Sequence, residues 1–475
     1  MKTYPLYLNG QWVKTQKTIR VVNPSTTEVV AEVCTVDRAA VAQAVKDAHV
    51  AFAGWRALTG KARGAHLNKI ADELEKRRDE IARVITLENG KPLAQSAGEI
   101  GMSVDHLRWF AEEARRAYGR IVPHQADGKR HLVVKTPMGV VAAIGPWNFP
   151  LVLAVRKIAP ALAAGNTVIL KPASATPVCA VLFAECVDAA KLPKGVSQLV
   201  AGSAREFAQE FLDNPLCRKI TFTGSTEVGK ELIRGAANQV KPLSLELGGH
   251  APVLVFEDAD LDAAVEGAMI TKFRNTGQSC IASNRIYVQR GIYEKFLDKF
   301  VQQTRALKTG DGLEDGVSVG PLINEEGLTK ALEHIQDATQ RGARLLCGGK
   351  RLKRQGYFLE PTVLADVPAG AACMSEETFA PVAALAPFDT EAEAIERANA
   401  SPYGLSAYAF TRDLRRTFRL MEQLESGMIG INDGVPTTSQ CPFGGVKQSG
   451  WGRELGIEGM DAFLETKHVS LGLGI

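Results

Sequence analysis

The sequence predicts an α/β fold with two mainly parallel sheets, and three observations predict it. From residue 140 onward, continuous apolar runs alternate with helix-patterned segments; a second set of the same kind runs from Ala251 to about Gly445; and no low-complexity linker divides the two. Continuous rather than alternating apolar strands fit parallel sheets whose two faces are covered by crossover helices. The cleft between two such units is where chemistry is expected.

Taken in order, residues 37–117 carry apolar side chains at three-to-four spacing (Val41, Val45, Ala48; Leu67, Ile70, Leu74, Ile81, Val84) with charges between them, a helical layer. The Gly/Pro-punctuated stretch 119–139, with its alternating segment 131–135, reads as a hairpin of exposed strands that need a partner. The first α/β set comprises strands 140–144, 166–170, 196–200 and 219–223, with helices ending at Ala164 and spanning 177–190 and 227–237. The second comprises helices 261–273, 293–307, 329–341 and 391–400 with strands 285–289, 382–387 and 428–432.

Composition narrows the function classes. The chain has 475 residues, 45% hydrophobic and 23% charged, which is enough apolar material for two cores. Its 56 Lys+Arg against 53 Asp+Glu give a net charge of +3 with interspersed signs, so neither a nucleic acid nor a membrane is the expected partner. Residues 1–10 read as neither signal nor anchor, and no apolar run reaches the roughly 18–20 residues of a membrane span. Eight scattered cysteines without CxxC are expected to be reduced, in a cytoplasmic protein. The histidines lack metal-ligand spacing, so no metal is expected.

Five motifs carry chemistry. Gly277-Gln278-Ser279-Cys280 lies between a helix end and a strand, where a thiol can be exposed and reactive rather than a small buried hydrophobe. Leu245-Glu246-Leu247-Gly248-Gly249 places one carboxylate in an apolar strand. Either Glu246 pairs with a lysine, or apolar walls raise its pKa toward that of a general base, while the glycines admit close backbone approach. Asn148, at a strand-to-helix turn, either caps the helix or donates its amide to an oxyanion. The segment FTGSTEVG (222–229) departs from GxGxxG, yet the orphan N–H groups opening its helix suit a pyrophosphate as well as a Ser/Thr cap. Lys171 closes a strand at the carboxyl edge, where open α/β sheets bind ligands.

In order and spacing, PWNFP (146–150), KPAS (171–174), FTGSTEVG (222–229), LELGG (245–249), GQSC (277–280), EETFAPV (376–382) and PFGGVKQSG (442–450) resemble the aldehyde dehydrogenase superfamily across essentially the whole chain. The resemblance implies a Rossmann-like cofactor domain (1–118 and 139–247), an α/β catalytic domain (248–445) and a β-hairpin oligomerisation element (119–138 and 446–475) of a homodimer or homotetramer. It implies Cys280 as nucleophile, Glu246 as general base and Asn148 in the oxyanion hole. Trp147, Lys171, Ser174, Gly224, Ser225 and Gly248 match cofactor positions, with Glu377 and Phe379 holding the nicotinamide ribose and ring. Ser174 stands where most NAD-preferring members carry glutamate, so NADP is expected, with NAD also accepted.

Arg156 and Arg274 are similar to the arginines by which succinate-semialdehyde dehydrogenases grip a distal carboxylate, with a hydroxyl from the loop Thr437-Thr438-Ser439, Thr438 or Ser439 first, as a weaker contact. Succinate semialdehyde is therefore the expected substrate. Glutarate semialdehyde, lactaldehyde, glycolaldehyde and sulfolactaldehyde are the alternatives. Some semialdehyde members have a second cysteine where this chain has Ala282, so no disulfide switch is expected there. A crystallin-like structural protein on the same fold would be expected to lose residues such as Cys280, Glu246, Asn148 or Lys171, and all four are present.

Overall fold

The computed structural model describes residues 1–474; Ile475, the last residue of the expected segment 446–475, lies outside them. The first sheet has 8 strands in the order Gly450–Trp451, Leu243–Glu246, Cys217–Thr223, Val140–Ile144, Thr167–Lys171, Ser197–Leu199, Leu6–Leu8 and Gln11–Val13. Those from Leu243–Glu246 through Ser197–Leu199 run parallel, and both edges are antiparallel. Strand order reverses at Val140–Ile144. The chain builds outward on one side through Thr167–Lys171 and Ser197–Leu199, then returns to the other through Cys217–Thr223 and Leu243–Glu246. Such a switch point opens a crevice at the carboxyl ends of the strands.

The crossover helix Val152–Ala164 is buried along its whole length and stops at Gly165, whose φ of 99° supplies the left-handed cap. Its small apolar residues let it pack against the helical layer, which consists of helices Arg38–Ala57, Gly60–Lys76, Arg78–Asn89 and Leu93–Glu113. The second sheet has 7 strands in the order Arg344–Cys347, Thr362–Ala365, Val382–Phe388, Ser283–Gln289, Ala251–Val255, Ser406–Phe410 and Met428–Ile431. All its pairings are parallel except the first. Residues 247–250 thus carry the chain from the carboxyl edge of one sheet to the amino edge of the other, and the Cys280 loop lies at that same amino edge.

The predicted hairpin appears as strands Arg120–Val122 and Lys129–Pro137, with Leu464–Gly472 pairing along the full length of the longer one. Strand Gly450–Trp451, placed by the sequence within the oligomerisation segment, instead extends the first sheet beside Leu243–Glu246. The amino-terminal strands, among them Val29–Cys34 in a small three-stranded sheet, carried no sequence assignment. Among the described residues, no helix is long and apolar enough to cross a membrane.

Candidate active site

Three carboxyl-edge segments of the first sheet converge on one cleft with a fourth segment from the amino edge of the second. Pro146, Trp147 and Asn148 follow Val140–Ile144; Gly224 and Ser225 follow Cys217–Thr223; Leu247 and Gly248 follow Leu243–Glu246; and Glu377 and Phe379 close the cleft from the second sheet. The cavity, of ≈ 320 Å³, reaches Cys280. Beyond Cys280 a second and much smaller cavity, of ≈ 40 Å³, is lined by Met102, Phe149, Arg156, Arg274, Thr437 and Phe443, among others. Cys280 is the residue common to both linings.

Cys280 is half-buried, less open than its loop position predicts. The reason is close backbone packing: a Cβ on Gly249 would stand 2.0 Å from the Cys280 carbonyl oxygen, so only glycine fits there. Burial, then the Glu377 and Glu246 carboxyls, push the thiol up to about 12, and the Arg156 guanidinium offsets this only in part. Asn148 is buried and does not cap the helix. Its Nδ2 donates to the Gln278 carbonyl at 3.1 Å, which lays the amide along the Cys280 loop. The Cys280 N–H has no hydrogen-bond partner among the described residues.

Glu246 lines neither cavity. It ends its strand with the carboxyl packed under Gly444, and its Oε2 is buried without a hydrogen bond. Burial, reinforced by the Glu454 carboxylate, holds it well above the usual carboxylate range, against the pull of Lys157 and Arg156. The lysine partner that the alternative reading requires is engaged elsewhere: Lys157 Nζ donates to Thr223 Oγ1 at 2.6 Å and to the Glu454 carboxylate.

On the cofactor side, Ser225 caps helix Thr226–Ala236, accepting from Val228 N at 3.4 Å, so the capping and anion-binding readings coexist at this terminus. Lys171 is buried at its strand end, and burial alone pushes its ammonium down to about 8. Ser174 is exposed on the loop that follows; neither residue lines the cavity. Glu377 Oε1 accepts the Gly249 N–H at 3.1 Å, and burial lifts its pKa to about 7. Phe379, held at a φ of 54°, meets Trp147 edge-on at 5.5 Å between centroids. A helix terminus and a carboxylate beside two aromatic rings fit the phosphate, ribose and ring of a nicotinamide dinucleotide, with the Lys171 ammonium outside the cleft lining.

On the other side, Arg156 is 5% exposed, its Nε has no partner, and its guanidinium lies 4.5 Å from the Phe443 ring centroid. Arg274 Nη2 donates to the Met102 sulfur at 3.6 Å, and its guanidinium lies 5.4 Å from the Phe149 ring centroid. Neither forms an ion pair among the described residues. Thr438 and Ser439 are not in this cavity, a correction to the sequence reading. Thr438 Oγ1 donates to Gln440 Oε1 at 2.6 Å, Ser439 is turned away to the Asp105 carboxylate, and the neighbouring Thr437 presents its side chain instead. Sequence reasoning also passed over Phe149 and Phe443, although both lie inside the motifs that it used, and Met102, which carries no local signal.

The Cys280 thiol thus stands where the larger cleft meets a small pocket lined by two arginines. The model of the aldehyde dehydrogenase family matches residues 12–469, and the chain belongs to that family. It is 48% identical to a glutarate-semialdehyde dehydrogenase of Pseudomonas aeruginosa over 98% of this chain and 97% of the relative. It is equally 48% identical to the NADP(+) succinate-semialdehyde dehydrogenase of Escherichia coli, with the same coverage. A solved succinate-semialdehyde dehydrogenase from Burkholderia pseudomallei superimposes with a TM-score of 0.97 at 44% identity, covering 99% of this chain and 98% of that one.

Proposed function

We propose that this aldehyde dehydrogenase oxidises a short aldehyde with a terminal carboxylate, succinate semialdehyde first, to the free acid, using NADP in preference to NAD. The observation that carries the reading is the buried guanidinium of Arg156, its Nε without a partner, beside the half-buried Arg274 in the small cavity behind Cys280, neither of them in an ion pair among the described residues. A desolvated cation without a partner is costly, and a substrate anion supplies the missing charge. Glutarate semialdehyde is the second reading, favoured by the equal identity of the Pseudomonas relative.

In this mechanism the Cys280 thiol gives up its proton to solvent and Sγ bonds to the aldehyde carbon. The oxyanion that forms takes hydrogen bonds from Asn148 Nδ2 and the Cys280 N–H; losing one such donor costs about 10²–10³ in rate. A bound nicotinamide supplies the hydride acceptor. Loss of hydride leaves a thioester on Cys280. Glu246 takes a proton from water, the hydroxyl adds to the thioester carbon, and the carboxylic acid departs as the thiol regains its proton. The acceptor role of Glu246 favours a free acid over acyl transfer to a thiol cosubstrate. Trp147, Gly224, Ser225, Gly248, Glu377 and Phe379 would hold the dinucleotide, with Lys171 and Ser174 at its adenosine ribose. Residues 119–138 and strand Leu464–Gly472 would serve assembly into a dimer or tetramer.

The test is kcat/KM for succinate semialdehyde, glutarate semialdehyde and propanal, each with NADP and NAD. Succinate semialdehyde is expected to exceed propanal by about tenfold or more, the lower bound for a charge-assisted contact. Equal values for propanal would overturn the anionic-substrate reading.

A further inference from the structure

The turn bearing Asn148 joins strand Val140–Ile144 to helix Val152–Ala164, and its buried backbone groups need partners that neither element supplies. Side chains from three other segments supply them. Asn89 Nδ2 donates to the Trp147 carbonyl at 3.0 Å. Lys91 Nζ donates to the Asn148 carbonyl at 2.7 Å, and Asn275 Nδ2 donates to the same oxygen at 2.8 Å. Glu99 Oε1 accepts from Leu151 N at 2.9 Å and Val152 N at 3.1 Å. Lys91 and Glu99 form a 2.7 Å ion pair with both side chains fully buried, and the ammonium also lies 4.0 Å from the Phe149 ring centroid.

Asn275 faces both ways. The same Nδ2 donates to the Gln278 carbonyl at 3.1 Å, the acceptor that the Asn148 amide itself uses. Its backbone is left-handed (φ 50°), as are Thr276 (60°) and Gly277 (74°). Two consecutive non-glycine residues in this region persist only where the surroundings over-determine them. Here Gln95 Oε1 accepts the Asn275 N–H at 2.8 Å, and Thr276 Oγ1 exchanges hydrogen bonds with Gly320.

We propose that Lys91, Glu99 and Asn275 are positioning residues that clamp the Asn148 turn to the Cys280 loop and so fix the oxyanion donor against the nucleophile. The inference rests on the reading of Asn148 as that donor. A buried ion pair adds little net stability, but its directed hydrogen bonds fix geometry. Such a donor must stand at hydrogen-bonding distance from where the oxyanion forms, and a displacement of about 1 Å costs on the order of 100-fold.

The experiment is a double-mutant cycle on the full-length enzyme with the best aldehyde and cofactor of the panel above. Lys91→Met and Asn275→Gly are each combined with Asn148→Ala, with thermal melts and iodoacetamide labelling of Cys280 as folding controls. Asn275→Gly removes the amide while tolerating the left-handed backbone, so it decides the question even where Lys91→Met does not fold. Each single variant is expected to lower kcat by about 10- to 100-fold with KM little changed, and to add almost nothing to the loss caused by Asn148→Ala. Multiplicative losses would show that these residues act on something else and would overturn the proposal. So would wild-type kcat in Asn275→Gly beside a large loss in Asn148→Ala. Wild-type kcat in Asn148→Ala would instead remove the donor reading itself, and the positioning role with it.

Discussion

Replacing Arg156 with methionine is expected to erase the preference for an anionic aldehyde. The guanidinium is 5% exposed, stacks 4.5 Å from the Phe443 ring centroid and has no carboxylate partner in the free enzyme, so a substrate carboxylate meets a cation already stripped of water. A charge-assisted hydrogen bond of this kind contributes about 1.5–3 kcal/mol, which is about ten- to more than a hundredfold in kcat/KM. The carboxylate lies away from the carbon being oxidised, so the contact is equally strong in ground and transition states. The loss should therefore fall on KM, with kcat nearly unchanged. Methionine keeps an apolar stem against Phe443, which limits any packing defect. Propanal cannot use the arginine and should keep or improve its kcat/KM once the unpaired charge is gone. Initial rates with both aldehydes at saturating NADP measure the ratio. A ratio within about twofold of wild type, far short of the contact's expected worth, would refute the reasoning and make Arg156 structural.

Ser174→Glu is expected to weaken NADP by about tenfold or more while leaving NAD unchanged or improved, because a carboxylate repels a 2′-phosphate; an unchanged KM for NADP would refute the cofactor reading. Glu246→Gln should release one equivalent of NADPH in a burst and then turn over about 10²–10⁴ times more slowly, as the thioester waits for a base. In the wild type, burial holds the Glu246 carboxyl protonated above the usual carboxylate range, so deacylation should quicken as pH rises through its raised pKa; a rise that persists in the glutamine variant would exclude Glu246 as the titrating group. The Cys280 thiol, pushed up from 9.0 to about 12, stays protonated at neutral pH. Its alkylation by iodoacetamide in the cofactor-free enzyme should be on the order of 10³ slower than that of a free thiol at pH 8 and climb steadily to pH 11; a rate already level above pH 8 would contradict the burial argument.

Much of the first sheet was legible because its strands are continuous apolar runs with crossover helices between them. Strand Val140–Ile144 and helix Leu261–Phe273 fall at the residues their patterns predict. The amino-terminal strands were not legible, since segments such as Leu6–Leu8 and Gln11–Val13 are too short to show a period and pair at the edge of a distant sheet. Within the site, Cys280, Asn148 and the two arginines could be named from motifs, because each lies beside a turn signal or an order-preserving block. Which hydroxyl of the loop 437–439 faces the cavity could not be read from sequence: adjacent loop residues differ only in which way they point, and Ser439 is drawn to Asp105, far off in sequence. Lys91 and Glu99 read as ordinary members of a charged helical layer. Only tertiary packing shows that both are dry.

The placement of Glu246 and Cys280, the proposed base and nucleophile, follows from sheet register rather than from contact between their side chains. Ala251 pairs with Ser283, so Glu246 and Cys280 are each only a few residues from one fixed point where two parallel strands meet. Gly249, forced by the Cys280 carbonyl to lack a side chain, locks the two connections together. The geometry of the proposed acyl step would thus be set by backbone, while the small cavity is built from side chains of other helices and loops and shares only Cys280 with the larger cleft. Chemistry and specificity are therefore separable in this chain. Substitutions at Arg274, whose charge acts on neither Cys280 nor Glu246, should change which aldehyde reaches the thiol without altering hydrolysis of the thioester, whereas lengthening the 247–250 connection should abolish turnover for every aldehyde alike.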